Sequence, residues 1–387
     1  MITREELREL AELEFNGRED CALSFYFQPH TPQNKSHHEE VILAKDLVRS
    51  ALHEAEKLGK NGFARADLKR ILELAENLQG NKARAKAVFA CGNRHYWREF
   101  DLPPQLSATQ LFVDYHFQLK PLAMLLGGQP RLWVLLIDRQ RARFFDLRLD
   151  ELKEHEGIPE VPSRRVRSDG YDAGHLHKRE QDDALHHFKT VAQHLKQAQE
   201  KGQFDRWIIG CREASWSGLE LHLHSYVKER LLGRFSGDIG SMPNELIREQ
   251  ARSILKQALD RRCHELAEQV IGQAKGDGRG VTGLRRVLRS LEGGEVQTLI
   301  VAENYSAHAV ECTACGHLDA HMVRYCPMCG HGTRELEDVC NALIPAAIRR
   351  DIELLYVSGL ELDRVGNIAA LLRFRADRSK GSPIVAA

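Results

Sequence analysis

The sequence has no excess of either charge: 55 lysines and arginines stand against 55 aspartates and glutamates. The whole-molecule field therefore gives no steering towards nucleic acid or an anionic membrane. That argues against a protein that coats DNA, but not against one that docks on a single RNA machine through local patches. There is also no apolar run long enough to span a bilayer. No secretory leader is visible, because Met1-Ile2-Thr3 runs straight into the charged Arg4, Glu5, Glu6 and Arg8. The expectation is a cytoplasmic protein with reduced thiols, and with neither membrane nor DNA as a partner. No internal repeat is found. The histidine pairs lack the i, i+4 spacing of a two-histidine metal site: His186 and His187 are adjacent, and His222 and His224 lie two apart. Both read as surface or helix-flank residues.

What is present is a four-cysteine frame. Cys312, Cys315, Cys326 and Cys329 follow C-x2-C-x10-C-x2-C, within Cys-Thr-Ala-Cys-Gly and Cys-Pro-Met-Cys-Gly. Two thiolates from each tight turn can face a common centre, and the glycine after the second cysteine lets the backbone turn back. Two such hooks make the tetrahedral sulfur cage that Zn²⁺ favours, with no position left for water, so the expected ion is structural. Paired disulfides and rubredoxin-type iron are the rival readings. His317, His321 and His331 flank the cysteines as substitute ligands, which four thiolates would leave without a vacancy. Cys21, Cys91, Cys211, Cys263 and Cys340 are scattered through apolar or helical contexts and read as small buried hydrophobes.

A chain of 387 residues is too long for one ordinary core. An α/β protein of three domains is expected. Residues 1–125 read as a small α+β domain, with strands near 21–27, 85–92 and 96–100 and helices near 39–57 and 66–78. Residues 126–243 read as an α/β sandwich. Its strands at 132–138 and 141–145 are joined by a tight turn. A long polar stretch over 151–180, a helix at 182–201, a strand at 207–211 and a helix at 218–232 follow. Residues 244–387 read as an α/β/α domain. It has a long helix at 244–273, a short one at 283–291, a strand at 296–301, a helix at 339–350 and strands at 353–357 and 369–374. The cysteine frame is inserted in it, at about 310–333.

The third part carries a family resemblance. Gly283-Leu-Arg-Arg-Val-Leu-Arg-Ser-Leu291 followed by Gly294-Glu-Val-Gln-Thr-Leu-Ile-Val301, and the closing Gly366-Asn-Ile-Ala-Ala-Leu-Leu-Arg-Phe374, resemble the C-terminal domain of the archaeal and eukaryotic class-one release factors and Pelota. Archaeal members carry a four-cysteine ribbon after the same first strand. The opening strand pair of the middle part is similar to their central domain. The first part lacks stop-codon-reading motifs. Through Ser24-Phe-Tyr-Phe27 and Asp114-Tyr-His-Phe-Gln-Leu-Lys-Pro-Leu122 it resembles the bacterial branch, which includes Balon-like ribosome hibernation factors. The resemblance implies a release-factor/Pelota-like fold with a zinc ribbon inserted in the C-terminal L7Ae-like domain. It also implies a ribosomal partner: the A site, ribosomal RNA and the stalk base, with elongation factor Tu as a further candidate.

Release factors hydrolyse peptidyl-tRNA with a Gly-Gly-Gln tripeptide, whose glycines allow a backbone closed to other residues and whose glutamine orders water at the ester. This chain contains Gly127-Gly128-Gln129, but at the domain junction, before the first central strand. The family's tripeptide lies on the long loop after the opening strands. A linker turn ending at Pro130 explains the displaced copy, so no catalytic residue is assigned. The segment in the family's loop position, residues 168–181, holds Gly170, Gly174 and Gln181 apart from one another. Arg164, Arg165, Arg167, His175, His177, Lys178 and Arg179 make this region basic and are the candidate contacts to ribosomal RNA phosphates. Occupancy of the A site without hydrolysis is the expectation. A peptidyl-tRNA hydrolase acting through Gln129 or Gln181 is the alternative.

Overall fold

The computed structural model describes residues 2–13, 15, 20–29, 36–57, 61–78, 85–103, 108–127, 129–149, 151–155, 173–276, 278–358 and 360–375. At 57, 61–63, 173–180, 360 and 361 it describes the backbone alone. The described chain forms two compact units, residues 1–128 with 262–387, and residues 129–261.

The first third supplies α1 (Arg4–Glu12), β1 (Ala22–Phe27), α2 (His37–Lys57), α3 (Asn61–Asn77), β2 (Ala85–Cys91), β3 (Tyr96–Leu102), β4 (Gln110–Asp114) and α4 (Lys120–Leu126). The strands make an antiparallel sheet of order β3-β2-β1-β4. Every residue of β1 is buried, because alternate side chains enter two cores. Leu23, Phe25 and Phe27 pack with Val41, Val48, Leu68 and Ile71 of α2 and α3. Tyr26 faces the other way, into a core shared with the last third of the chain. α1 starts with a capping box, in which the Thr3 hydroxyl accepts from the Glu6 N–H at 3.2 Å and Glu6 accepts from the Thr3 N–H at 2.8 Å.

The middle of the chain supplies β5 (Leu132–Ile137), β6 (Ala142–Arg148), β7 (Glu151–Glu154), α5 (Ala173–Glu200), β8 (Arg206–Gly210), α6 (Glu213–Glu220), α7 (Ser225–Lys228), β9 (Leu231–Phe235) and α8 (Asn244–Lys275). The sheet order is β7-β6-β5-β8-β9, with β5, β8 and β9 parallel and β5, β6 and β7 antiparallel. Trp133, Leu135 and Ile137 of β5 face Phe188, Val191 and Leu195 of α5. Leu132, Val134 and Leu136 face Ile247, Ala251 and Leu255 of α8. The expected hairpin between β5 and β6 is present, and the alternation explains the sandwich.

Three local expectations are corrected here. The polar stretch at 151–180 opens with strand β7, which takes the sheet edge although Leu152 is its one apolar residue. Backbone pairing with β6 holds this strand, and the Glu154 carboxylate accepts a forked pair of bonds from Arg143 at 2.7 and 2.8 Å in place of apolar alternation. Helix α5 begins at Ala173, not near 182, consistent with a run from Leu176 to Gln181 rich in good helix formers. The helix expected at 218–232 ends early, and Leu231–Phe235 is strand β9. Gly233 is needed there, since a Cβ would come within 2.7 Å of Ile254 on α8.

The last third supplies β10 (Gly280–Thr282), α9 (Leu284–Glu292), β11 (Val296–Ala302), β12 (Ala309–Cys312), β13 (Leu318–Asp319), β14 (Thr333–Leu336), α10 (Cys340–Arg349), β15 (Glu353–Val357) and β16 (Ile368–Leu372). The main sheet has order β10-β16-β11-β15, with β11 and β15 parallel. Leu299 and Val301 of β11 face α9 and α10, together with Ile368, Ala370 and Leu372 of β16. Ile300, Ala369 and Leu371 face Ala267 and Val270 of α8. This is the expected α/β/α arrangement, except that β16 stops at Leu372 and leaves Phe374 exposed.

The small sheet β13-β12-β14 leaves the main one after β11. The first-third sheet and this unit share one core, in which Phe117, Leu119 and Leu122 pack with Val339, Leu343 and Leu354. Polar bonds seal it. Asn341 donates to Asp114 at 2.6 Å and accepts from Gln118, and the Lys120 ammonium donates to the Tyr305 carbonyl at 2.9 Å. Among the described residues, no helix is long and apolar enough to cross a membrane.

Candidate metal centre

Two turns of matching geometry build the site. In the first, Cys312 N–H donates to the His317 carbonyl at 2.8 Å and Gly316 N–H donates to the Cys312 carbonyl at 3.1 Å. In the second, Cys326 N–H donates to the His331 carbonyl at 2.8 Å and Gly330 N–H to the Cys326 carbonyl at 2.9 Å. Gly316 and Gly330 have φ of 68° and 75°, a left-handed backbone in which a side chain would be strained. Both glycines thus turn the backbone as their place after each second cysteine suggests.

The hooks bring Cys312, Cys315, Cys326 and Cys329 together, with all four sulfurs within 4.8 Å of one another. The nearer separations are 3.4 Å for Cys312–Cys329, 3.4 Å for Cys315–Cys329 and 3.7 Å for Cys315–Cys326. Four sulfurs at about 2.3 Å from a tetrahedral ion would be roughly 3.8 Å apart, so the donor set and its span suit a metal such as zinc. All four cysteines are free thiols. Backbone N–H groups point at the sulfurs: Ala314 and Cys315 donate to Cys312 Sγ at 3.4 and 3.5 Å, and Met328 donates to Cys326 Sγ at 3.4 Å. Burial raises the Cys312 thiol, but the Cys315 and Ala314 N–H groups and the neighbouring thiols outweigh it and bring it down to about 6. The Cys315 and Cys329 thiols are shifted the other way, upward, so of these three Cys312 loses its proton first.

Two of the flanking histidines are engaged elsewhere, while His331 Nδ1 lies 3.2 Å from the Cys329 carbonyl oxygen. His317 meets Glu292, and His321 meets Asp319 at 2.9 Å as well as Arg285. The other cysteines fit their reading as small apolar residues: Cys21, Cys91, Cys211 and Cys340 are buried, while Cys263 is half-buried.

Below the hooks lies an ion cluster with no counterpart in the sequence reading. His116 Nε2 is 2.9 Å from both Glu311 carboxylate oxygens, and Arg334 donates to Glu311 Oε2 through Nε and a terminal nitrogen at 2.9 and 2.7 Å. Arg334 also lies over the Tyr115 ring, 4.2 Å from its centroid. Burial pushes the Glu311 carboxyl up, but His116 and Arg334 together hold it below its ordinary value. Glu311 adjoins Cys312 and Arg334 follows Thr333 on β14, so the cluster pins both roots of the cysteine ribbon to the segment after β4. A glutamate inside the otherwise apolar Ala309-Val310-Glu311-Cys312 was the signal available in the sequence.

The remaining candidate residues fall as follows. Arg164, Arg165 and Arg167 lie outside the described residues. His175, His177, Lys178 and Arg179 belong to the first two turns of α5, whose backbone alone is described there. Gly127 is the C-cap of α4, its N–H donating to the Ala123 carbonyl at 2.6 Å. A Cβ on it would collide with that carbonyl oxygen and approach the Leu354 carbonyl at 3.1 Å. Gly128 lies outside the described residues, and Gln129 stands three positions before the first residue of β5.

Residues 118–263 match the profile of bacterial archaeo-eukaryotic release factor family 10. Two curated relatives, both named peptide chain release factor subunit 1, come from Thermococcus onnurineus and Pyrococcus abyssi. Each is 24% identical over 310 residues, covering 71% of this chain and 74% of its own. Among solved structures, Archaeoglobus fulgidus Pelota is similar over 96% of this chain and 93% of its own, at 14% identity and a TM-score of 0.36. By sequence, then, residues 118–263 resemble a bacterial archaeo-eukaryotic release factor family, and most of the chain is similar to archaeal release factors.

Proposed function

We propose that this protein is a cytoplasmic, ribosome-binding translation factor that occupies the A site without hydrolysing peptidyl-tRNA, as in hibernation. The observation that carries the non-hydrolytic reading is the placement of its Gly-Gly-Gln. Gly127 closes α4, where backbone crowding by Ala123 and Leu354 accounts for the glycine. A release tripeptide needs its glycines for a mobile loop ahead of a helix, and this one precedes a strand.

The rest of the reading follows from the family and the chemistry at hand. The four cysteines hold a structural Zn²⁺, which fixes the ribbon and supplies no open coordination position. The chain works as three parts, 1–125 towards the decoding centre, 126–243 towards the peptidyl-transferase centre, and 244–387 towards the stalk base. Arg164, Arg165, Arg167, His175, His177, Lys178 and Arg179 neutralise ribosomal RNA phosphates at the central part. Elongation factor Tu is the GTPase partner of the third part.

The test is release of labelled peptide from purified peptidyl-tRNA·ribosome complexes, with pelleting of the same ribosomes to score binding. Binding without release is the expected result. Release that disappears in Gln129→Ala or Gln181→Ala would make the protein a hydrolase instead.

A further inference from the structure

The ribbon ends in a surface that neither the metal nor the core uses. Among the described residues, eight large hydrophobic side chains are exposed, and three of them, Met322, Tyr325 and Met328, lie within seven positions at this tip. Tyr325 is 71% and Met328 72% exposed. A soluble surface does not ordinarily concentrate such groups on a rigid projection without a use for them.

The projection is rigid for reasons already in place. Tyr325 pairs through its backbone with Gly332, Met328 N–H is bonded to Cys326 Sγ, and the Glu311–Arg334–His116 cluster fixes the roots. The backbone that carries Tyr325 is therefore ordered before binding.

Charge indicates what would cover it. From Ala320 to Arg334 the ribbon has no acidic residue, while His321, Arg324 and His331 are exposed. The contact of Arg285 with His321 joins the ribbon to α9, where Arg285, Arg286 and Arg289 form an exposed basic face. Arg286 and Arg289 make no ion pair among the described residues. A thiolate-bound divalent ion would leave negative charge at the hooks, which the N–H groups donating to Cys312 and Cys326 partly offset. An exposed aromatic ring on a ribbon that contacts a basic helix suits single-stranded nucleic acid: the ring can stack on a base while the arginines meet neighbouring phosphates.

We infer that the ribbon tip and α9 together form a binding surface for unpaired RNA, with Tyr325 as the stacking platform and Arg286 and Arg289 as the phosphate contacts. This inference deepens the ribosomal reading and rests on it for the source of the RNA, an unpaired loop or bulge of ribosomal RNA.

The experiment uses the full chain loaded with Zn²⁺, a fluorescein-labelled unstructured 20-nucleotide RNA and a blunt 20-base-pair RNA duplex, read by anisotropy. The single strand should bind more tightly than the duplex. Tyr325→Ala should weaken that binding about 5- to 100-fold while Tyr325→Phe retains it, as stacking requires. Arg286→Ala with Arg289→Ala should lower the slope of log affinity against log salt by roughly 1.4, about 0.7 for each phosphate no longer neutralised. Metal content and the thermal melt of each variant separate misfolding from a specific loss of RNA binding. Single-strand affinity unchanged in Tyr325→Ala overturns the inference. So does an absence of RNA binding by the unaltered protein, and ribosome binding abolished in Tyr325→Ala would then place a protein partner on the tip. Ribosome pelleting in parallel keeps the two readings apart. A protein that never pellets with ribosomes removes the ribosomal reading, whereas one that pellets equally well with and without Tyr325 removes only this surface.

Discussion

His116 and Glu311, 195 positions apart in sequence, meet at 2.9 Å with 7% of each side chain exposed. Arg334 closes the cluster from the same strand pair that carries the ribbon. Because the Glu311 carboxylate and the Arg334 guanidinium are 7% and 14% exposed, removing one partner costs more than the contact itself contributes. Glu311→Ala leaves the Arg334 guanidinium buried without its carboxylate and should destabilise the protein by about 3–5 kcal/mol. The paired change Glu311→Leu with Arg334→Met should recover a large part of that loss. Urea unfolding followed by tryptophan fluorescence checks both. Equal destabilisation by the single and paired changes would mean that packing volume, not charge, matters at this position.

The four sulfurs predict one metal ion per chain. Cys326→Ser, which alters a buried ligand, should reduce bound zinc to near zero and lower the melting temperature. Elemental analysis and calorimetry measure the two. The shared core of the two sheets does not depend on the ion, so far-ultraviolet circular dichroism should keep most of its amplitude. Full zinc occupancy in that variant would show that the site is not the four-thiolate cage.

How much of this was readable beforehand differs by element. β11, α10 and β15 announce themselves because alternating or helical apolar periods coincide with burial on known faces, and the knuckle glycines because only their turn explains them. β7 was not readable, since a short edge strand with Leu152 as its one apolar residue has no alternation to display. β9 was not either. Leu231 and Leu232 fit a helical period as well as a strand, and the deciding contact, Gly233 against Ile254, is tertiary. The shared core of Phe117 with Leu343 and the His116–Glu311 pair join the first and last thirds of the chain. A single sequence does not show which residues meet across such a distance, although Glu311 among apolar neighbours signals that some partner exists. The cysteines were legible as a ligand set because their spacing is itself the geometry.

Gly127 offers a test of packing against catalysis. Gly127→Ala places a methyl group against the Ala123 and Leu354 carbonyl oxygens, and overpacking of this kind costs about 1–3 kcal/mol. A lower unfolding midpoint is expected, with ribosome pelleting retained at temperatures where the variant is folded. Unchanged stability together with abolished ribosome binding would instead make Gly127 part of a functional loop.

Stability should also fall in mild acid, through histidines of the middle unit. His194 stacks on Trp133, with ring centroids 6.0 Å apart at 20°, and sits 4.8 Å from the Phe144 ring. Burial lowers its affinity for a proton, with smaller contributions from His155 and Lys201, and burial likewise lowers that of His187. The folded state therefore prefers both rings neutral. Their contribution is fully present above about pH 6.5, the unfolded value, and is lost as pH falls through that value towards the lower folded ones. Asp205 and Glu154 are also lowered, through hydrogen bonds from Arg131 and Arg143, but the stability they add is lost only in the more acidic carboxylate range. Between about pH 6.5 and 5.5 these histidines add to the slope alongside the Cys312 thiol, and each proton adds at most about 1.4 kcal/mol per pH unit. Urea midpoints at pH 7.5, 6.5 and 5.5 should decline for the unaltered protein and decline less for His194→Phe, which keeps the aromatic packing and removes the titrating group. An identical slope in the variant would assign the acid sensitivity to another residue.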